Sequence, residues 1–183
     1  MRTDHEASLE ACQCPVKRFQ GYSLPSAEKS RKIHHVHTLC IRTTLGPITI
    51  TEEDGAITEL SFRSSKDRSP TPLLRQCARE VQEYFAGKRN TFTVPLKANG
   101  TPFDEAVQSA MQKVKFGDTV SYAELAKRIG KAKACRAVAN ACGRNRTPIL
   151  IPCHRVVASN GLGGFNSGIK RKKILLGIEG HTL

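Results

Sequence analysis

The sequence predicts an α+β fold, in which a small N-terminal domain of antiparallel sheet and one helix precedes a mainly helical C-terminal domain with a helix-turn-helix. Three short β-type segments follow one another within residues 39–62, and apolar residues recur at helical spacing through most of the second half. Residues 97–100 form a plausible linker between the two halves. We therefore expect a tail over 1–35, a support domain over 36–97 and a second domain over 98–183.

Three β-type segments make up the predicted N-terminal sheet. They cover residues 39–41, 48–50 and 56–62, and the residue pairs Gly46-Pro47 and Asp54-Gly55 separate them. Gly, Pro and Asp are the residues that tight turns favour. The pattern therefore predicts a three-stranded antiparallel meander.

One helix should close over this sheet. Thr71 precedes Pro72 as an N-cap followed by proline at the first helical position, and Gly87 ends the pattern. Its apolar residues recur at helical spacing: Leu73, Leu74, Cys77, Val81, Tyr84 and Phe85. We interpret this half as a support domain, because it holds no catalytic constellation. Residues 1–35 are mixed polar without periodicity, which predicts a flexible tail.

Three further helices are predicted at the start of the C-terminal domain. An apolar stripe over residues 103–114 indicates the first, and Ser121 begins the second with Glu124 as its capping-box partner. The third runs over residues 134–142 and ends at a glycine. Helix, glycine-containing turn and helix is the helix-turn-helix plan, although tight helix pairs are also ordinary packing.

Basic residues are concentrated in the C-terminal half. The chain carries a formal net charge of +13, and residues 100–183 hold 14 Lys and Arg against 5 Asp and Glu. This balance favours a polyanionic partner, but charge alone does not choose between DNA, RNA and an anionic membrane. A final basic helix is predicted over residues 169–177. We expect its Lys170, Arg171, Lys172 and Lys173 to face outward and its Ile174 and Leu175 to face inward.

Seven cysteines, an odd number at irregular spacing, indicate a reducing compartment. No apolar stretch is long enough for a signal peptide or a membrane span. Short basic clusters in the tail favour the nucleus if the source is eukaryotic, and otherwise we expect the cytoplasm. We predict no metal, because the potential ligands match no familiar zinc spacing. Those ligands are Cys12, Cys14, His34, His35, His37 and Cys40.

A candidate nucleophile, Cys153, stands between two apolar runs. The composition of residues 149–151 predicts a buried β-type run, which ends at Pro152. Cys153 is therefore expected at a bend. Side chains adjacent on extended chain point to opposite faces, so His154 can approach the sulfur only if the backbone turns. Positive charge from His154 and Arg155 could hold the thiol partly as thiolate. The alternative interpretation is a small buried hydrophobe.

Six motifs occur in order between residues 100 and 180. They are Gly100-Thr101-Pro102-Phe103, Phe116-Gly117-Asp118-Thr119-Val120-Ser121-Tyr122, Cys135-Arg136-Ala137-Val138, Pro152-Cys153-His154-Arg155-Val156-Val157, Gly163-Gly164-Phe165-Asn166-Ser167-Gly168 and Leu175-Leu176-Gly177-Ile178-Glu179-Gly180. Their order and spacing resemble those of the O6-alkylguanine-DNA alkyltransferase (methylated-DNA–protein-cysteine methyltransferase) family. The resemblance implies a repair protein that flips O6-alkylguanine out of DNA and transfers the alkyl group irreversibly to Cys153, in a single turnover without a diffusible cofactor.

The resemblance also assigns roles in the chemical step. His154 would take the proton of Cys153 through a water, and Glu179 would orient the imidazole, as in other triads of thiol, base and carboxylate. Tyr122 would hydrogen-bond guanine N3 and assist departure of the base. Asn145 would tie the helix-turn-helix to the active-site segment by side-chain hydrogen bonds.

The third predicted helix is rich in alanine, and Arg136 is its main long side chain. Small residues suit close approach in a minor groove better than base reading in a major groove. The resemblance implies that this helix enters the minor groove and that Arg136 fills the space left by the extruded nucleotide. It also implies DNA contacts by Ser121, Ala137 and Arg144, and a hydrogen bond from Ser167 to guanine O6. The alternative is that the alanines pack inward and Arg136 is a solvated charge.

The expected partner is double-stranded DNA containing O6-alkylguanine, bound in the minor groove by a monomer, with no membrane involved. Two alternatives remain open: a non-enzymatic alkyl-lesion-binding protein with an inert Cys, and a helix-turn-helix transcription factor that uses Cys153 as a redox sensor. The chain departs from the family pattern at Gln108, where Trp is common, and at Asn166, where one well-known pattern has Tyr.

Overall fold

Three strands of the N-terminal half form an antiparallel sheet in the order β1-β2-β3. The computed structural model describes residues 35–66 and 69–182, so the predicted tail lies outside the described residues except for its last residue. The strands are β1 (Val36–Thr43), β2 (Gly46–Glu53) and β3 (Ala56–Ser61). The predicted three-stranded meander is confirmed.

The two hairpin turns follow from backbone geometry. Asp54 and Gly55 both have positive φ, 52° and 80°, as a two-residue type I′ turn requires. The first turn lies two residues earlier than predicted, at residues 44–45. Gly46 is already paired with Thr43 at the end of the ladder.

Helix α1 (Pro72–Phe85) packs on the sheet. Its N-cap is Thr71, whose Oγ1 accepts a hydrogen bond from Leu74 N at 3.1 Å. The predicted cap, proline position and buried face are therefore confirmed. Four of its side chains are completely buried: Leu74, Cys77, Val81 and Tyr84.

The C-terminal half is mainly helical, as predicted. Its helices are α2 (Pro102–Gln112), α3 (Tyr122–Arg128), α4 (Cys135–Gly143) and α5 (Ile169–Ile178). A short parallel pair that the sequence did not predict joins β4 (Val120–Ser121) to β5 (Val156–Val157). Among the described residues, no helix is long and apolar enough to cross a membrane, and no group of three or more Cys, His, Asp or Glu could hold a metal ion.

The capping box predicted at Ser121 is only half formed. Ser121 Oγ accepts from Glu124 N at 3.1 Å, but the Glu124 carboxylate lies instead 3.7 Å from Arg128, a basic partner one turn along the helix. The complete box is at the start of α2, between Thr101 and Asp104. Asp104 accepts from the Thr101 backbone N at 2.9 Å and completes the exchange.

The predicted orientation of α5 is wrong at two residues. Lys172 is completely buried, whereas Ile174 is 45% exposed. Lys172 lies three and four residues before the buried Leu175 and Leu176, so the helical period places all three on the inner face. Ile174 falls on the opposite side.

Two hydrophobic cores hold the segment around Cys153. The first packs α1 and the sheet against Ile149 and Leu150, and the second packs α2, α3 and α4 against Ile151, Cys153 and Val156. Residues from both halves of the chain therefore pack against this segment. This packing from both halves holds the candidate nucleophile, Cys153, in place.

The apolar run before Cys153 is buried, as predicted, but it is a turn and not a strand. Ile151 N donates to the Thr147 carbonyl at 2.9 Å, and Ile149 has a φ of +76°. A β-branched residue rarely adopts this conformation, because its Cβ crowds the backbone. Burial of Ile149 in the first core offsets that strain.

Candidate active site

Cys153 begins a 3₁₀ turn, Cys153–Arg155, which follows Pro152. Because the chain is not extended here, neighbouring side chains are not forced to opposite faces. Asn145 holds the preceding residues: its Nδ2 donates to the Ile151 carbonyl at 2.8 Å, and its Oδ1 accepts from Thr147 N at 3.1 Å. Asn145 thus acts on the backbone of the segment, at the end of α4.

The carboxylate of Glu179 collects five hydrogen bonds in the protein interior. Its Oε1 accepts from His154 Nε2 at 2.7 Å, Tyr84 Oη at 2.8 Å and Arg155 Nη2 at 3.1 Å. Its Oε2 accepts from Arg155 Nε at 2.9 Å and Gly117 N at 3.3 Å. The His154 and Glu179 side chains are both completely buried. A buried charge requires such partners, because water cannot solvate it.

These contacts set the charge states of the pair. Burial alone would raise the pKa of Glu179, but the hydrogen bonds from His154 and Arg155 outweigh it and hold the pKa at about 2. Burial lowers the pKa of His154 in spite of its anionic neighbour. At neutral pH the pair is therefore a carboxylate and a neutral imidazole.

The hydrogen bonds also identify the tautomer of His154. Nε2 faces a carboxylate oxygen that can only accept, so Nε2 carries the proton. Nδ1 is buried and has no hydrogen-bond partner among the described residues. It therefore keeps a free lone pair, which is what a general base needs.

Cys153 is a thiol, not a thiolate, in the resting site. Burial raises its pKa to about 11, although Asn145 and Lys172 act in the opposite direction. The expectation that nearby positive charge holds it partly as thiolate is therefore wrong. The loss of hydration at the Cys153 sulfur outweighs the effect of nearby positive charge on its pKa, and Arg155 is already paired with Glu179. Reaction at Cys153 requires a base.

A cavity of about 370 Å³ opens at Cys153 beside α4. Its wall includes Tyr122, whose Oη donates to the Gly164 carbonyl at 3.3 Å. Gly163 permits this approach, because a Cβ there would lie 2.8 Å from the Tyr122 ring. The lining residues are Tyr122, Ala139, Asn140, Cys142, Gly143, Cys153, Gly164, Phe165 and Asn166.

Lys172 is hydrogen-bonded to the glycine-rich loop, residues 161–168, that forms one side of this cavity. Its Nζ donates to the carbonyls of Val156 and Leu162, both at 2.6 Å, and of Gly164 at 3.2 Å. These bonds occupy all three ammonium donors. Burial lowers the pKa of Lys172 to about 8.

The helix-turn-helix presents small and basic side chains at its surface. Arg136 and Ala137 are exposed on α4, whereas Val138 is completely buried in the second core. The alternative in which the alanines all pack inward therefore does not apply to Ala137. Ser121, half-buried, caps α3.

Two of the predicted DNA-binding residues lie beside the cavity rather than in it. Ser167 and Arg144 line an adjoining groove, which shares Asn166 with the cavity. Arg144 Nε also donates to Asp104 at 3.1 Å, so part of its charge is balanced within the protein. The structure thus brings Cys153 and Tyr122 to one cavity, whereas Asn145 lines the adjoining groove and holds the backbone before Cys153. His154 follows Cys153 directly and is hydrogen-bonded to Glu179.

Two family models match the chain, and together they span most of the described residues. Residues 36–98 match the ribonuclease-like domain of 6-O-methylguanine DNA methyltransferase, and residues 102–181 match its DNA binding domain. The chain belongs to this family. The resemblance inferred from the six motifs is confirmed, and with it the enzyme class of methylated-DNA–protein-cysteine methyltransferases.

Relatives of the methyltransferase family agree over nearly their whole length. The constitutive methylated-DNA–protein-cysteine methyltransferase of Bacillus subtilis is 41% identical over 151 residues, which are 75% of this chain and 91% of the relative. The crystal structure of the Mycobacterium tuberculosis O6-methylguanine methyltransferase superposes with a TM-score of 0.72 at 35% identity, covering 79% of this chain and 93% of that one. The structure of Mycobacterium tuberculosis OGT in complex with DNA gives 0.72 at 36% identity, covering 78% and 92%.

Three buried residues of this methyltransferase site were missed from sequence. Arg155 stands inside the signature motif, but the sequence indicates only a charge near Cys153. Lys172 shares the helical face of buried leucines, which is a signal of burial. The helical spacing of Tyr84 indicates only a core position, but a buried tyrosine hydroxyl needs a partner, and that requirement points to a polar site.

The charge state of Cys153 can be measured directly. With a pKa of about 11, roughly one molecule in a thousand carries the Cys153 thiolate at pH 8. We expect the ultraviolet thiolate absorbance of the protein, minus that of Cys153→Ser, to stay near zero up to about pH 9 and to rise only above it. A difference signal already complete at pH 8 would show an activated thiolate and contradict this assignment.

Lys172→Met should destabilise the protein and loosen the loop at the cavity. The substitution leaves three carbonyls without their donor, which we expect to cost about 2 kcal/mol or more in the free energy of unfolding by urea. Lys173→Met, at the exposed neighbouring position, is the matched control and should change stability by less than about 0.5 kcal/mol. Hydrogen exchange of residues 156–164 should rise in the first variant only. Equal stability of the two variants would refute the role given to Lys172.

Proposed function

We propose that this protein repairs O6-alkylguanine in double-stranded DNA by transferring the alkyl group irreversibly to the sulfur of its own Cys153. The observation that carries the proposal is a thiol that lines the cavity and is followed directly in the chain by a neutral base. Cys153 lines the cavity, and the next residue, His154, is a neutral imidazole backed by the Glu179 carboxylate. Family membership supports the reaction class.

The chemical step begins with loss of the thiol proton. His154 takes it through a bridging water at Nδ1, and the imidazolium that forms is stabilised by Glu179. The thiolate attacks the O6-alkyl carbon, so an S–C bond forms while the C–O6 bond breaks and its electron pair stays with guanine. Tyr122 hydrogen-bonds guanine N3 and so assists departure of the base, which takes up one proton from solvent in place of the alkyl group, while His154 returns the proton of Cys153 to solvent. Asn145 holds the Cys153 segment throughout.

The alkyl carbon can reach Cys153 only if the damaged nucleotide leaves the duplex. The cavity opens beside α4, whose exposed residues Arg136 and Ala137 suit a minor groove: Ala137 permits close approach, and Arg136 fills the gap in the stack. Ser121 and Arg144 contact the DNA backbone. Ser167, in the adjoining groove, donates a hydrogen bond to guanine O6. The basic C-terminal half supplies the salt-sensitive affinity.

The product is a thioether on Cys153, and no group in the site can reverse it. Each molecule therefore acts once, as a monomer without a diffusible cofactor. The thiol must remain reduced, which places the protein in a reducing compartment. That compartment is the nucleus if the source is eukaryotic and the cytoplasm otherwise.

Intact mass after one incubation tests the proposal. The protein is mixed with a duplex oligonucleotide that carries a single O6-methylguanine, beside Cys153→Ala and beside an unmodified duplex. We expect a gain of about 14 Da, one CH2, in the parent protein alone, with one equivalent consumed per lesion. Peptide mapping should place the methyl group on Cys153.

Two other outcomes would overturn the proposal. Lesion-selective binding without a gain in mass would indicate a non-enzymatic damage-binding protein. A methyl group that maps to a different cysteine would leave the activity in place but reject Cys153 as the acceptor.

A further inference from the structure

Tyr84 connects the N-terminal half of the chain to the His154–Glu179 pair. It is completely buried near the end of α1, and its ring packs against Phe92 and Phe116 with centroid distances of 5.7 Å and 6.1 Å. Its hydroxyl donates to Glu179 Oε1 at 2.8 Å and lies 3.4 Å from His154 Nε2. The N-terminal half therefore contributes a hydroxyl group that contacts both His154 and Glu179.

The hydroxyl competes with His154 for a single oxygen atom. Oε1 of Glu179 accepts from Tyr84, from His154 and from Arg155. Each donor that shares a carboxylate oxygen withdraws some of its negative charge, which reduces its attraction for the other protons. Tyr84 thus weakens the pull of Glu179 on the imidazole.

We propose that Tyr84 is a positioning residue for alkyl transfer. Its hydroxyl shares Glu179 Oε1 with His154 and so keeps the imidazole neutral and able to accept a proton. The proposal rests on the proposed function, in which neutral His154 accepts the proton of Cys153. Without the hydroxyl, Glu179 would hold the imidazolium more tightly. A larger fraction of molecules would then have His154 already protonated and unable to act.

Burial is the main reason that the pKa of His154 is lowered, and four neighbouring groups bear on its protonation as well. Glu179 stabilises the imidazolium, whereas Arg155 and Lys172 disfavour it through their charge. Tyr84 is the neutral member, since burial and Glu179 raise the pKa of its hydroxyl further above the neutral range. Tyr84→Phe therefore removes one hydrogen bond without changing the net charge of the site. Substitution of any of the other three would change that charge.

The direction of the effect follows from the sign of the interaction. Loss of the donor favours the charged form of His154, so its pKa rises. Transfer requires the neutral form, so the rising limb of the pH-rate profile should move to higher pH. We expect a shift of about half to one unit in Tyr84→Phe, which slows transfer roughly three- to tenfold below the midpoint and leaves the rate at high pH nearly unchanged.

The test combines single-turnover transfer rates from an O6-methylguanine duplex with a nuclear magnetic resonance titration of the His154 ring nitrogens, assigned with His154→Asn. Thr49→Val is the matched control. It removes another hydroxyl hydrogen bond of the N-terminal half, from Thr49 Oγ1 to the Arg63 carbonyl at 2.8 Å, far from the pair in sequence. Both variants should lose thermal stability, but only Tyr84→Phe should shift the midpoints of the rate profile and of the ring titration, and both should move upward.

Each other outcome is informative. A Tyr84→Phe variant that loses stability like the control, with both midpoints unchanged, would show a merely structural hydroxyl and overturn the inference. A downward shift would overturn it as well. If the parent protein transfers no methyl group at any pH, the proposed function fails, and the ring titration still reports separately whether Tyr84 acts on His154.

Discussion

The site depends on one buried anion, the carboxylate of Glu179. Its five donors come from α1, from the turn at Gly117 and from the 3₁₀ turn that follows Cys153, so distant parts of the chain meet at two oxygen atoms. Removing a partner from such a buried charge costs about 3–5 kcal/mol, because water cannot replace the lost donor. The polar contact between the two halves and the orientation of the His154 ring therefore depend on the same interaction.

This anion resolves an apparent conflict in the chemistry. Cys153 is packed in a hydrophobic core, and burial keeps its thiol protonated, although a thiolate is the reactive form. A permanently ionised thiol would be exposed to oxidation and to stray electrophiles before DNA arrives. In the proposed mechanism, the protonated thiol becomes reactive only when the neutral His154 takes its proton. Glu179 would make that possible, since its contact with Nε2 leaves Nδ1 of His154 free.

The sequence predicted the meander, the capped α1 and the helical second half, because hydrophobic period, proline and glycine act locally. The six motifs predicted the family. Prediction failed where tertiary packing reversed a local preference: Lys172 is buried since three carbonyls surround it, and residues 149–151 form a turn although their composition favours a strand. The charge state of Cys153 and the contact of Tyr84 with Glu179 arise from long-range burial, which no local pattern encodes.

The protonation of the His154 ring in the resting protein tests the account most directly. Nitrogen-15 shifts of the ring at pH 7.5 should show a neutral imidazole with its proton on Nε2 and a bare Nδ1, as the contact with Glu179 requires. The spectrum of Glu179→Ala, which removes the acceptor, should lose that preference. A resting imidazolium, or a neutral ring protonated at Nδ1, would contradict the account, because His154 would then have no lone pair at Nδ1 with which to take the proton of Cys153.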